Sequence, residues 1–476
     1  MIQYTIKRLL LAIPTFFAIS LIIFLVLNVA PGKPGAQNQG QGESTTGQEQ
    51  KESYRIFKEQ FNLDRPILLN TRYNLGTDEV REMLAVAYNL DGDELAKDRI
   101  ENSDKLDDYG EYLVSHLVVL LDDQDPEIQR LAAMHLSSAG QERFVNERRG
   151  DPLEARAQNR EIGKRNDLIK PWTYTEDASA EQKQAVHESW KQWYADNQER
   201  FTYSFVEKLD ITFFDTRFAK YWDNLLHLDF GVSTVDRKPV LDTVLGKLKY
   251  SLSLTTTAVL LAYLIAVPTG IFSAVKQGKP VDSVITVILF ILYSLPTFFT
   301  GTVLLKLLSE GTPVAWFPTG DFRSMDAGPM TTWETTKDIL WHLVLPIGTY
   351  TSTALAALSR YARTGVIDVI RADYIRTARA KGLSEPVVIL KHAVRNGMIP
   401  VLTLLGGLLP TLVAGSVVIE VIFNIPGMGQ FLYSSINLRD YNAVMAILLA
   451  SSSLALMGIL LSDLSYALVD PRISFD

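Results

Sequence analysis

The chain has 476 residues, no cysteine, 47% hydrophobic residues and a formal net charge of −8. The lack of cysteine excludes a disulfide framework, a thiolate metal site and a cysteine nucleophile. Charge is segregated: Gly76–Asp210 holds 30 acidic and 17 basic residues, a net of −13, which leaves +5 for the remainder.

In chain order, Leu9–Ala30 carries no charge and is long enough to cross a bilayer, which takes about 20 apolar residues. Lys7 and Arg8 precede it as in a secretory leader. Its run exceeds the ~7–15 residues of a leader core, however, and Asn28-Val29-Ala30-Pro31 is a poor cleavage site, so a permanent span is expected. Pro34–Gln50, rich in Gly, Gln, Ser and Thr, reads as a flexible linker.

The acidic block reads as helical. Asp125-Pro126-Glu127 offers an N-cap, a proline at the first helical position and an acid in the first turn. Ile128, Leu131, Ala132 and Leu136 follow at helical spacing, and Gly140 ends the run. With Leu113, Leu117 and Leu121 on the preceding segment, Tyr109–Asp122 and Asp125–Ala139 resemble a HEAT-type helical hairpin. One hairpin cannot bury its face alone, so Thr77–Asn89 and Ser179–Asn197 are the expected neighbours. Arg148–Lys170, dense in charge, reads as a solvated or loosely ordered face.

Five further apolar stretches follow. Tyr250–Val275, Ser283–Leu305, Met398–Ile419 and Ala443–Ser462 carry no charge, and Ile339–Leu358 carries only His342, which is expected at an interface. Pro268, Pro296, Pro346, Pro400 and Pro410 fall within or beside them, and Gly406-Gly407 interrupts the fifth span. Such breaks suit a bundle that lines a pathway, although ordinary packing of a static bundle also tolerates Gly and Pro. Lys7 and Arg8, Lys276 and Lys279, and the basic run from Arg360 to Arg395 all fall on one side by alternation. That side is expected to be cytoplasmic, with both termini inside and the acidic block outside.

Asp373-Tyr374-Ile375-Arg376-Thr377-Ala378-Arg379-Ala380-Lys381-Gly382 reads as a short helix beginning near Arg371 and stopped by Gly382, with Ser384 opening the next. By charge alone it is either a groove-binding helix or a basic loop on anionic lipid. Its residue pattern resembles the cytoplasmic loop of binding-protein-dependent ABC importer permeases of the dipeptide, oligopeptide and nickel group. Ser294-Leu295-Pro296-Thr297-Phe298, Glu420-Val421-Ile422-Phe423 with Pro426-Gly427-Met428-Gly429, Asp229-Phe230-Gly231-Val232-Ser233, and Tyr466–Arg472 are similar to that group's segments in the same order. So is the start, with Tyr4, Lys7-Arg8-Leu9 and Ile13-Pro14. The resemblance covers residues 1–75 and 211–476. It departs from the wider superfamily where Arg376-Thr377-Ala378 stands for Glu-Ala-Ala, and where the loop's later proline is absent near Arg395.

The resemblance implies an all-α fold, a polytopic protein with six transmembrane helices like a type I ABC importer permease, to which the residue pattern of the acidic block adds an extracytoplasmic helical insert. The expected divisions are 1–75, with the first span; 76–210, the insert; and 211–476, the permease core with coupling loop 359–397. It implies a permease subunit forming half the pathway of an ATP-driven peptide importer in the bacterial inner membrane, by alternating access. Nickel or another small solute is the alternative cargo. A membrane-tethered interaction protein acting through its insert is the alternative class.

Expected partners are a second permease subunit, two cytoplasmic ATPases, an extracytoplasmic binding protein and lipid, with no nucleic acid. Asp373, Tyr374, Arg376, Thr377, Ala378, Arg379, Lys381 and Gly382 are the implied ATPase-coupling residues; Ala378 and Gly382 would allow close approach. Pro296, Glu420, Pro426 and Gly427 are candidates for the pathway or its gate, Glu420 being alternatively an interfacial carboxylate in water. The chain shows no phosphate-loop, dinucleotide or nucleophile-elbow motif, and its six histidines are scattered. No catalytic residue, metal or cofactor is therefore expected in it; ATP and Mg would belong to the ATPases.

Overall fold

The structure is a computed structural model that describes residues 2–29, 55, 58–59, 61–145, 151–312, 314–325, 328, 330–398, 401, 404 and 416–469. Every extended element among them is a helix. The chain divides into two compact units, residues 1–40 with 229–476, and residues 41–228.

Helix α1 (Ile2–Val29) is uncharged beyond Arg8 and holds Pro14 inside it. It belongs to the first unit. In the second unit, α2 (Thr77–Tyr88) is closed by Asn89 in the left-handed region at φ 56°, a conformation an asparagine tolerates at a helix end. Next come α3 (Ala96–Tyr109), a 3-10 turn at Gly110–Leu113, α4 (Val114–Leu120) and α5 (Pro126–Ala139). Asp125 caps α5 by accepting the Glu127 N–H at 2.9 Å, an arrangement that contributes about 1 kcal/mol. α6 (Pro152–Ile169) and α7 (Ala180–Asn197) follow, the latter opened by a Ser179–Gln182 capping box.

One core joins them. Val80, Leu84, Leu113, Leu117, Ile128, Leu131, Leu136 and Trp190 are fully buried together. The α4–α5 hairpin has α2 packed against it, and α7 also packs on both of its helices. These neighbours are the two the hairpin's apolar face called for. The charged stretch after Asp151 is not loosely ordered: it is helix α6, capped by Asp151, with Ala155, Ile162, Asn166 and Ile169 turned inward. Three or four residues separate most of these positions, so a single stripe anchors an otherwise solvated helix.

The second unit also takes in the chain on either side of the acidic block. Arg72 donates to the carbonyls of Asp64 at 2.7 Å and Asp108 at 2.6 Å. Asn70 donates to Tyr112 Oη at 3.2 Å, and Tyr112 Oη donates to Asp215 Oδ2 at 2.8 Å. Lys58 pairs with Asp108, Asp64 with Arg143, and Arg65 with Asp215. α8 (Phe205–Phe214) and α9 (Arg217–Leu226) complete the unit.

The first unit resumes with α10 (Val240–Val275), 36 residues long with Pro268 inside it. α11 (Pro280–Ser294) and α12 (Thr297–Leu308) follow. The expected third span is therefore not one straight helix: these two meet at an angle of 99°. Leu295 and Pro296 adopt extended backbone between them, and Pro296 has no N–H with which to continue the first ladder.

α13 (Thr332–Ile370) is 39 residues long, extends past both ends of its apolar stretch and encloses Pro346. It packs along α10 over small residues: Ala258, Ala262 and Ala266 are buried at four-residue spacing, and Thr351 Oγ1 donates to Ala258 O at 3.2 Å. Close helix approach of this kind is what small residues permit in a membrane. His342 is not at an open interface; it is buried, with Nδ1 donating to Asp338 O at 2.8 Å.

The remaining helices are α14 (Asp373–Ala380), α15 (Glu385–Val387), a π-helical turn at Val388–Ala393, α16 (Val394–Gly397), α17 (Val417–Ile422), α18 (Met428–Asn437) and α19 (Tyr441–Val469). Among the described residues, four helices are long and apolar enough to span a bilayer, or five with the bent pair as one. The expected fifth span, with Pro400, Gly406-Gly407 and Pro410, lies largely outside the described residues, as does the linker Pro34–Gln50.

Candidate functional site

The segment expected to couple to the ATPases is built by two changes of chain direction. α13 ends at Ile370, and Ala372 takes extended backbone (φ −70°, ψ 148°) to start α14 at Asp373, two residues later than Arg371. Gly382 ends the segment in the left-handed region at φ +78°, and its N–H donates to Arg379 O at 2.9 Å.

α14 is amphipathic. Ile375 and Ala378 are buried against Val388 and Ala393 of the π-helical turn. Asp373, Tyr374, Arg376, Thr377, Arg379, Lys381 and Gly382 are exposed. Ala378 thus faces the loop's own small core and offers no surface for close approach. Tyr374 Oη accepts from Asn396 Nδ2 at 2.8 Å. Arg379 forms a forked pair with Glu385 at 2.7 and 3.2 Å, and that hydrogen-bonded guanidinium lowers the Glu385 carboxyl below its usual range. Arg379 is therefore already committed within the loop, whereas Arg376 makes one long contact of 3.4 Å to Asp373.

Beneath the segment, α13 and α16 cross backbone to backbone. A Cβ on Gly365 would collide with Gly397 O, and one on Gly397 would come within 2.8 Å of Gly365 O. Sequence reasoning missed this crossing because the two glycines lie in unremarkable contexts 32 residues apart.

The pathway candidates fall in two places. Pro296 stands at the 99° bend. Just beyond it, Gly301 lies under Phe423 and Thr349, whose atoms would sit 3.3 and 3.4 Å from an added Cβ. Glu420 and Gly427 are together elsewhere. Glu420 is fully buried rather than in contact with water. Its Oε1 accepts from Ser251 Oγ at 2.7 Å, and its Oε2 accepts from the Gln430 N–H at 3.0 Å. A Cβ on Gly427 would lie 2.6 Å from Glu420 Cδ, and the turn with Pro426 brings the chain this close. Ser251 was not singled out from sequence; a serine in an apolar helix is ambiguous until its partner is known.

Comparison with known proteins decides the family. The model described as "Binding-protein-dependent transport system inner membrane component" matches residues 266–475. The oligopeptide transport system permease protein AppB of Bacillus subtilis is 37% identical over 275 residues, which are 57% of this chain and 84% of that protein. The chain belongs to the family of ABC importer permeases. This permease is also 36% identical over 277 residues to the peptidoglycan transport system permease protein YejB of Agrobacterium fabrum, covering 57% of the chain and 76% of the relative. It is 35% identical over 259 residues to the glutathione transport system permease protein GsiC of Escherichia coli, covering 54% and 79%. The permease is thus a multi-pass membrane protein, and each of these matches leaves over two fifths of its chain unaccounted for.

Proposed function

We propose that the chain forms half of the translocation pathway of an ATP-driven peptide importer, working by alternating access with a second permease subunit and two separate ATPases. The carrying observation is α14. It holds its apolar side chains Ile375 and Ala378 inward and presents Asp373, Tyr374, Arg376, Thr377 and Lys381 outward, as a helix that docks on a partner protein would. Nucleotide can shift the permease only by binding its two states unequally, and α14 is the segment through which that difference reaches the spans. ATP and Mg belong to the partner subunits in this reading, and the loop faces the cytoplasm.

Peptide cargo is supported by the relatives named for oligopeptide and glutathione transport. The test is ATPase activity of the purified complex. Stimulation by the binding protein with peptide is expected; absence of stimulation defeats the transport reading, and stimulation by nickel alone replaces the cargo.

The acidic insert is proposed as an extracytoplasmic docking surface, in the manner of stacked helical hairpins. Deleting residues 76–210 would strip Lys58 of Asp108 and Asp64 of Arg143, so it tests folding as much as docking. Reversing exposed charges on α2, Asp78→Lys with Glu82→Lys, isolates the surface. Weaker binding-protein docking is expected, and unchanged docking would leave the insert a structural elaboration.

A further inference from the structure

The inner half of the broken third span is anchored in its first turn. In α11 only Asp282 is buried, while Val284, Val287, Ile288, Phe290, Ile291 and Tyr293 are exposed. Four donors meet the Asp282 carboxylate. Arg363 of α13 binds it in a fork, Nε to Oδ1 at 2.9 Å and Nη2 to Oδ2 at 2.8 Å. Ser273, near the end of α10, donates to Oδ1, and the Gly278 N–H donates to Oδ2 at 3.1 Å. A forked guanidinium–carboxylate pair fixes orientation as well as distance.

The pair's surroundings are stiff. One helical turn before Ser273, Gly270 lies against α13 so closely that a Cβ there would come within 2.5 Å of Ser359 O. Arg363 is seven residues before the end of α13 at Ile370, about 10 Å along the helix, and the coupling segment starts three residues later. α12, beyond the Pro296 bend, is held at Phe423, just after α17, and at Thr349 of α13, 14 residues before Arg363. A displacement of the cytoplasmic end of α13 therefore reaches α11 through Arg363, while α12, past the bend, meets α13 at Thr349, farther from that end.

We infer that Asp282 and Arg363 are a positioning pair that carries movement of the coupling segment to the inner half of the broken third span. This rests on the coupling role proposed for α14. The test uses the full importer complex in lipid, with Asp282→Asn, Arg363→Lys and the swap Asp282→Arg/Arg363→Asp, reading peptide taken up per ATP hydrolysed. Asp282→Asn is expected to lower that ratio about tenfold, equivalent to about 1.4 kcal/mol, with basal ATPase near wild type. Arg363→Lys falls less and the swap recovers part. Spin labels at Val287 and Leu307 should change separation on nucleotide binding in the wild type and not in Asp282→Asn.

An unchanged ratio in Asp282→Asn, or uptake and basal ATPase falling in proportion, would overturn the inference. If Asp282→Asn fails to assemble, Arg363→Lys carries the same readouts. A wild-type complex without stimulated ATPase would defeat the coupling reading and the inference with it, whereas a coupled wild type with an indifferent Asp282→Asn defeats the inference alone.

Discussion

Ser251 Oγ donates to Glu420 Oε1 at 2.7 Å across 169 residues of chain, and the same serine oxygen accepts the Met428 N–H at 2.7 Å. One hydroxyl thus ties α10 to both the carboxylate on α17 and the first turn of α18. Little room is left around it, since Gly427 and Gly429 both pass within contact distance of Glu420.

This crowding predicts graded damage. Glu420→Gln keeps one acceptor oxygen and loses the other, which should destabilise the buried cluster by about 1–3 kcal/mol. Gly427→Ala forces a methyl to within 2.6 Å of Glu420 Cδ and Ser251 Oγ, so it should lower the melting temperature further. Thermal unfolding of the purified permease in detergent, followed by size-exclusion recovery, ranks the two. Equal melting temperatures for Gly427→Ala and wild type would refute the packing argument.

At Gly382 the constraint is backbone conformation, because nothing lies within 4 Å of an added Cβ although φ is +78°. A β-branched residue there costs about 1–2 kcal/mol in left-handed backbone, whereas asparagine tolerates it. Gly382→Val should therefore uncouple ATP hydrolysis from uptake more than Gly382→Asn does. If bulk and not φ were decisive, the two variants would behave alike in a transport assay.

Trp190 is the fully buried hinge of the acidic unit's core, and its Nε1 donates to Trp172 O at 2.8 Å. Trp190→Ala should cost about 3–5 kcal/mol and Trp190→Phe about 1 kcal/mol beyond the change in size, for the lost hydrogen bond. Hydrogen exchange of α4 and α5 in the intact chain reads this directly: both helices should lose protection in Trp190→Ala.

Acidification should loosen the same unit. Burial lowers His116, which meets Thr77 Oγ1 at 3.0 Å. Burial and then Lys191 lower His187, which meets Tyr174 Oη at 2.9 Å. A histidine with a lowered pKa in the folded state contributes stability fully above about pH 6.5 and loses it as pH falls through the lowered value. Glu59 and Asp108, raised mainly by burial, act in the opposite direction. The comparison is therefore wild type against His116→Gln with His187→Gln, melted between pH 7.5 and pH 5. The variant should show the flatter profile.

Much of this molecule was readable before its fold was known. The short helix α14, the capped helices after Asp125 and Ser179, and four long apolar spans all carry local signals: apolar spacing, a side chain that caps, a glycine or proline that stops. Where reading failed, the missing information was a distant partner. Ala378 was expected on the docking surface, and Val388 and Ala393 turn it inward. For Glu420, the alternative of a carboxylate in contact with water fails, because Ser251 and Gln430 hold it buried. The charged stretch after Asp151, expected as a solvated or loosely ordered face, is a solvated helix whose Asn166 binds the Glu142 backbone at 2.8 and 2.9 Å.

By itself, then, the sequence determined that this is a helical membrane protein of the importer-permease family with an acidic helical block between its first two spans. Each such feature is set within a few residues, by turn-to-turn hydrogen bonding and the length a bilayer demands. Only the tertiary structure decided that the third span bends, that Glu420 is a buried tie, and that residues flanking the acidic block fold with it. The bend needs the flanking helices to hold Pro296 in extended backbone, and the other two depend on polar groups meeting across more than a hundred residues, since burying an unpaired polar group is costly.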